Sequence, residues 1–213
     1  MKTSKLNLIY LLIITLSINS CGVPKMSTVT NFNVQDCAVT LTNGTQINGK
    51  VDFPLNSGEK KLTIDKNNIK EKIDKAEISK VTFKTSSGEI NYEKISVFNQ
   101  TGRKILKEKK LLALSIKGKV SLCYSQGSGY ENRGTGQNPY RVPVFFTEYY
   151  CIRENEKAAT LIHADMNVVN KNSLFRYAGK KYFADDSEIA KKIDDKVYTY
   201  SNLIEVINKY NSK

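Results

Sequence analysis

The chain has 213 residues, long enough for one substantial core. Its 33 Lys and Arg against 21 Asp and Glu give a formal net charge of +12, of which +10 remains without Lys2 and Lys5. A single histidine excludes a His-rich zinc site, and no nucleic-acid-binding motif accompanies the positive charge.

Lys2 and Lys5 precede an apolar run over residues 6–18 that suits a signal helix and is short for a bilayer span. Ile18-Asn19-Ser20-Cys21 then resembles the lipobox of bacterial lipoproteins, where a small residue precedes the lipidated cysteine. The resemblance implies cleavage before Cys21 and two or three acyl chains on its sulfur and amine. At about 0.8 kcal/mol per buried methylene, more than one chain makes anchoring stable. Residues 1–20 are therefore expected as a signal peptide, 21–34 as a lipidated tether and 35–213 as one domain. Gly22-Val23-Pro24-Lys25-Met26 lacks the Asp that favours inner-membrane retention and the acidic run that marks surface export in Bacteroidota. That implies the outer membrane, with the domain in the periplasm.

Asn43-Gly44 separates two β-prone runs, residues 37–42 and 45–51, and predicts a hairpin through a type I′ turn. Short strands follow at 62–64 and 68–70. Those at 78–83 and 90–98 flank Ser86-Ser87-Gly88, which suits another hairpin. A long apolar run over 111–125 is interrupted by Gly118, where a bend or bulge is expected. Runs at 142–152 and 158–163 complete an antiparallel sheet or sandwich.

The period changes near Ser173. Leu174, Phe175, Ala178 and Tyr182 fall at helical spacing, as do Ile189 and Ile193, and then Leu203, Val206, Ile207 and Tyr210. Asp185 with Glu188 has the spacing of a capping box. The expected fold class is α+β: an antiparallel sheet or sandwich followed by two or three helices packed on it.

Cys37, Cys123 and Cys151 remain after lipidation. Alternation in residues 120–124 turns Val120, Leu122 and Tyr124 inward, and in 148–152 it turns Tyr150 and Ile152 inward. Cys123 and Cys151 then share the opposite face, as a candidate cross-strand disulfide worth roughly 3 kcal/mol; separate thiols packed as small apolar residues are the alternative.

Residues 125–141 read as a Gly-rich hairpin extension. They lack the Gly-Lys-Ser/Thr ending of a phosphate loop. Tyr130 and Tyr140 offer flat amphipathic contact and Arg133 and Arg141 pair with anions, which makes this the candidate recognition loop. His163 with Asp165 reads as a strand-end turn rather than part of a triad, and Asp185-Asp186 as a helix cap rather than paired glycosidase carboxylates. No metal-ligand spacing and no cofactor motif is present. The densest basic stretch, Arg103-Lys104-Ile105-Leu106-Lys107-Glu108-Lys109-Lys110, reads as solvated surface, with anionic headgroups as the alternative contact.

Four segments carry a further likeness: Lys117-Gly118-Lys119-Val120-Ser121-Leu122, Tyr149-Tyr150-Cys151-Ile152-Arg153-Glu154, the stretch from Phe175 to Phe183, and that from Ile204 to Asn211. With the opening around Leu41-Thr42-Asn43-Gly44-Thr45, they resemble uncharacterised exported lipoproteins of Bacteroidota. The resemblance implies a β-rich domain followed by C-terminal helices, and no known activity or catalytic residue comes with it. The expected function is a membrane-anchored, non-enzymatic binding module facing the periplasm, with a protein or envelope component as partner and no nucleic acid. The alternatives are a glycan or lipid hydrolase using unrecognised acidic residues, and a basic module gripping anionic lipid or lipopolysaccharide.

Overall fold

The computed structural model describes residues 33–86, 88–99, 102–134, 140–166 and 171–213; the expected signal peptide, Cys21 and the expected tether as far as residue 32 lie outside them. Ten strands form one sheet: β1 (Asn33–Leu41), β2 (Gln46–Phe53), β3 (Lys61–Lys66), β4 (Ile69–Asp74), β5 (Ile78–Thr85), β6 (Gly88–Ile95), β7 (Lys110–Ile116), β8 (Val120–Arg133), β9 (Tyr140–Arg153) and β10 (Thr160–Met166). The spatial order is β10-β9-β8-β7-β6-β5-β1-β2-β3-β4, with every strand pair antiparallel. Three helices follow: α1 (Lys171–Tyr182), α2 (Ser187–Asp194) and α3 (Leu203–Asn211).

The expected antiparallel sheet with C-terminal helices is present, but as one sheet curled into a half-barrel rather than a sandwich. Its curl is closed by the chain after β2. Asn56 bridges Gln126 of β8, although four strands lie between β2 and β8 in the sheet. The enclosed face holds Val39, Ile64, Ile78, Val81, Phe83 and Tyr92, all fully buried. Phe83 sits edge-on between Phe53 at 5.0 Å and Tyr92 at 5.8 Å, a geometry favoured by the ring quadrupoles.

A second core lies between β8–β10 and the helices. Val120, Leu122, Cys151 and Ile162 of the sheet meet Phe175, Ile189, Ile193, Leu203, Val206 and Ile207. Each fully buried side chain of this kind contributes roughly 1.5–3 kcal/mol. The opposite face of the same strands is covered by the β6–β7 connection. Val97 bridges Ala159 and packs with Leu112, Cys123, Tyr150 and Leu161.

The first hairpin stands where Asn43-Gly44 put it, with a different turn. Gly44 alone has a left-handed backbone there, at φ +86°, and its N–H donates to the Leu41 carbonyl at 3.0 Å. This is a type I turn over Thr42-Asn43 closed by a glycine bulge. The two-residue I′ geometry occurs instead at Asn67 (φ 54°) and Asn68 (φ 69°) between β3 and β4. Asn tolerates that region, and the Asp65 carboxylate accepts the Asn68 N–H at 2.7 Å.

Gly118 lies in the β7–β8 turn rather than inside a strand. A Cβ there would collide with the Asn211 carboxamide, which accepts the Val120 N–H at 2.8 Å and donates to the Val120 carbonyl at 2.9 Å. The last residue of α3 thus pairs with the first residue of β8 as a strand neighbour would. Arg153 completes the clamp. Its guanidinium lies 4.3 Å from the Tyr182 ring and donates to Glu156 (3.0 Å), Asp185 (2.9 Å) and the Tyr182 carbonyl (2.9 Å). The helix cap is Asp186, not Asp185: its carboxylate accepts the Ile189 N–H at 3.1 Å, which leaves Asp185 for Arg153.

Ion pairs tie the helices together: Lys180–Asp194 at 2.6 Å, Lys213–Asp186 at 2.6 Å, and Glu188 between Lys192 and Lys209. Hydrogen bonds from Lys209 and Lys192 hold the Glu188 carboxyl down at about 2, and Lys213 and Lys180 lower Asp186 and Asp194. A carboxylate with a depressed folded-state pKa stabilises above its unfolded value and loses that contribution as pH falls through the folded one. The denaturation midpoint is therefore expected to fall between the ordinary glutamate value of 4.5 and about 2. Urea titrations across that window should show a shallower fall for Glu188→Gln; an identical slope would remove Glu188 from the account.

Candidate functional site

β8 and β9 pair without interruption from Val120↔Arg153 to Arg133↔Tyr140. Their neighbours stop short: β7 reaches Tyr124 of β8, and β10 reaches Phe146 of β9. Residues 128–133 and 140–145 therefore pair only with each other, as a two-stranded arm beyond the sheet. The expected loop is thus mostly strand; its tip, residues 135–139, lies outside the described residues.

The arm is fixed at its base. Ser57 N–H donates to the Gln126 carbonyl at 2.7 Å. The Asn56 carboxamide donates to Ser128 Oγ at 3.0 Å and accepts the Ser128 N–H at 3.0 Å. Lys75 holds the Asn56 carbonyl from the other side, at 2.5 Å, and burial pushes its pKa down.

Register divides the candidate recognition residues between two faces. Tyr130 stands opposite Pro143 and Asn132 opposite Arg141, so Tyr130 and Arg141 share one face. Tyr140, paired with Arg133, shares the other with Val142 and Val144. Tyr130 is 73% exposed and Tyr140 59%, the largest exposed aromatic surface of the arm.

The candidate disulfide is not formed: Cys123 and Cys151 are both free and buried. Cys123 stands opposite Tyr150 and Cys151 opposite Leu122, so the register places the thiols on opposite faces. Alternation turns Tyr150 and Ile152 inward with Val120 and Leu122, but Cys151 is the residue that shares the core of Val120 and Leu122, and Tyr150 packs with Cys123 on the other face. Burial pushes Cys123 up to about 12 and Cys37 up to about 11, which keeps both thiols protonated and unreactive.

His163 lies within β10, not in a turn. Its ring is fully buried between Tyr149 at 6.1 Å and Tyr200 at 4.4 Å, where it packs the sheet against the helical layer. The basic stretch is exposed from Arg103 to Lys109, on the β6–β7 connection, while Lys110 turns inward to Glu148.

One constellation escaped the sequence. Glu148 Oε2 accepts from Lys110 Nζ (2.6 Å), Ser125 Oγ (3.0 Å) and the Tyr150 hydroxyl (2.9 Å). Ser125 and Glu148 have the spacing of a nucleophile and its base. With Ser125 at 1% exposure, however, no substrate carbonyl can reach the hydroxyl. Burial and the adjoining carboxylate raise the Tyr150 pKa, so its hydroxyl stays a donor. The set joins β7, β8 and β9 below the arm. These residues come from three strands, so local spacing carries no signal of their meeting.

A second feature was also missed. An open polar cleft of about 880 Å³ lies on the outer face of β1, β2 and β5, bounded by the β3–β4 turn. Among the described residues, no group of three or more His, Cys, Asp or Glu is placed to hold a metal, and no helix is long and apolar enough to cross a membrane. Comparison with family models, curated proteins and solved structures finds no match to this chain.

If the Glu148 set is structural, Glu148→Ala should cost about 2 kcal/mol by stranding Lys110, Ser125 and Tyr150, while Ser125→Ala costs about 1 kcal/mol. Equilibrium denaturation checks both. Equal, negligible losses would mean that the network contributes nothing to the fold.

Proposed function

We propose that this chain is a lipid-anchored, non-enzymatic binding module of the bacterial envelope, which meets a protein partner through the β8–β9 arm. The observation that carries the reading is the arm itself. It is a formed ribbon beyond the sheet, held at its base by Asn56, with Tyr130 and Tyr140 largely in solvent. Exposed tyrosines on a rigid element give large contact area at small entropic cost, and Tyr and Arg are enriched where truncation weakens protein contacts most.

The path of the chain supports an encounter near the membrane. β1 opens with Asn33 paired to Phe53, three residues before Asn56, so the tether enters beside the arm's base. In this reading acyl chains on Cys21 fix the other end. The intervening residues span at most about 40 Å, which confines the arm to partners at or close to the bilayer surface.

The test places a photoreactive residue at Tyr130 or Tyr140 in the full chain, in cells. A discrete protein adduct is expected from one face, and Tyr130→Ala should weaken capture by an Arg141 probe roughly tenfold. Cys21→Ala is expected to lose the adduct while the arm stays intact. No adduct from either face would overturn the proposal.

A further inference from the structure

The outer face of β1, β2 and β5 carries charges in alternation. Register sets Glu89 opposite Lys84, Asp36 opposite Lys50, and Lys50 opposite Asp65. Lys84 follows Phe83, the partner of Cys37, so it neighbours Asp36. The row runs acid, base, acid, base, acid over five strands, about 19 Å at the usual strand spacing. Among the described residues, Lys50 and Lys84 make no ion pair within 4 Å.

The β3–β4 hairpin bounds this face because it joins β2 through a single registered pair, Lys50↔Asp65, and then diverges. Its turn brings Lys66, Asn67 and Asn68 to the rim of the 880 Å³ cleft, a volume within the range of ligand sites. Inside, Gln46, Asn48 and Thr82 add two carboxamides and a hydroxyl.

Three properties narrow the ligand. The lining holds three carboxylates and three lysines on a chain with a large lysine excess, so it offers no net field for a polyanion. It has no aromatic and no large aliphatic side chain, so it cannot seat the apolar anchors that hold peptides and proteins. What it does offer is four carboxamides interleaved with carboxylates and ammonium groups, donors and acceptors side by side. We infer that the cleft binds an uncharged oligosaccharide, whose hydroxyls both donate and accept along the row. The site is separate from the arm and stands or falls apart from it.

Calorimetric titration of the full chain, in a detergent without a sugar headgroup, tests this with neutral tetrasaccharides (N-acetylglucosamine and maltose series) and a heparin tetrasaccharide. Millimolar or tighter binding of a neutral probe is expected. Asn48→Ala should weaken it roughly tenfold, as should Asn68→Gly, which removes a carboxamide but suits the left-handed turn. Tyr130→Ala should change nothing. Asp36→Lys should weaken the neutral probe and admit heparin. No neutral binding at millimolar concentration, heparin binding at least as tightly to the unmodified chain, or indifference to Asn48→Ala and Asn68→Gly together would overturn the inference.

Discussion

The structure depends on one long antiparallel pairing, that of β8 with β9. Their inner half is buried on both faces, by helices on one side and the β6–β7 connection on the other. Their outer half leaves the sheet altogether and becomes the arm. Continuous ladder bonds make the two halves one mechanical element, so packing around Leu122 and Cys151 sets the direction in which Tyr130 and Tyr140 point. A ribbon without such support would be marginal in water.

The remaining contacts brace that pairing. Arg153 at the end of β9 gathers Glu156, Asp185 and two tyrosine rings, and Asn211 docks on Val120 at the start of β8. Further along, Glu148 bonds groups from β7, β8 and β9, and the Asn56 loop holds the point of departure. These are polar devices at positions where the sheet runs out of neighbours to bury it. The cleft on β1, β2 and β5 lies on the other half of the curled sheet, which leaves two surfaces free to work independently.

The amphipathic helices were legible because one apolar stripe faces one core: Ile189, Ile193, Leu203, Val206 and Ile207 are all fully buried. Asn43-Gly44 located the first hairpin for the same local reason, though the backbone chose a bulged turn. Alternation failed in β9, where Tyr150 and Cys151 are both buried, on opposite faces, and the pattern has no phase to read. Hence the mistaken pairing of Cys123 with Cys151. Tyr130 and Tyr140 were legible as exposed aromatics among glycines, but their separation onto two faces needed the register. The cleft had left a trace in the outward positions Asp36, Lys50 and Lys84; its meaning appears only when β1 is inserted between β5 and β2.

Native-state hydrogen exchange on the full chain measures the central pairing most directly. Amides of the inner β8–β9 ladder should be the slowest in the molecule, and those of the arm should exchange well below random-coil rates. Asn56→Ala should then speed the arm alone. Arm amides exchanging at random-coil rates in the unmodified protein would contradict the account, because the tyrosines would have no fixed direction to present.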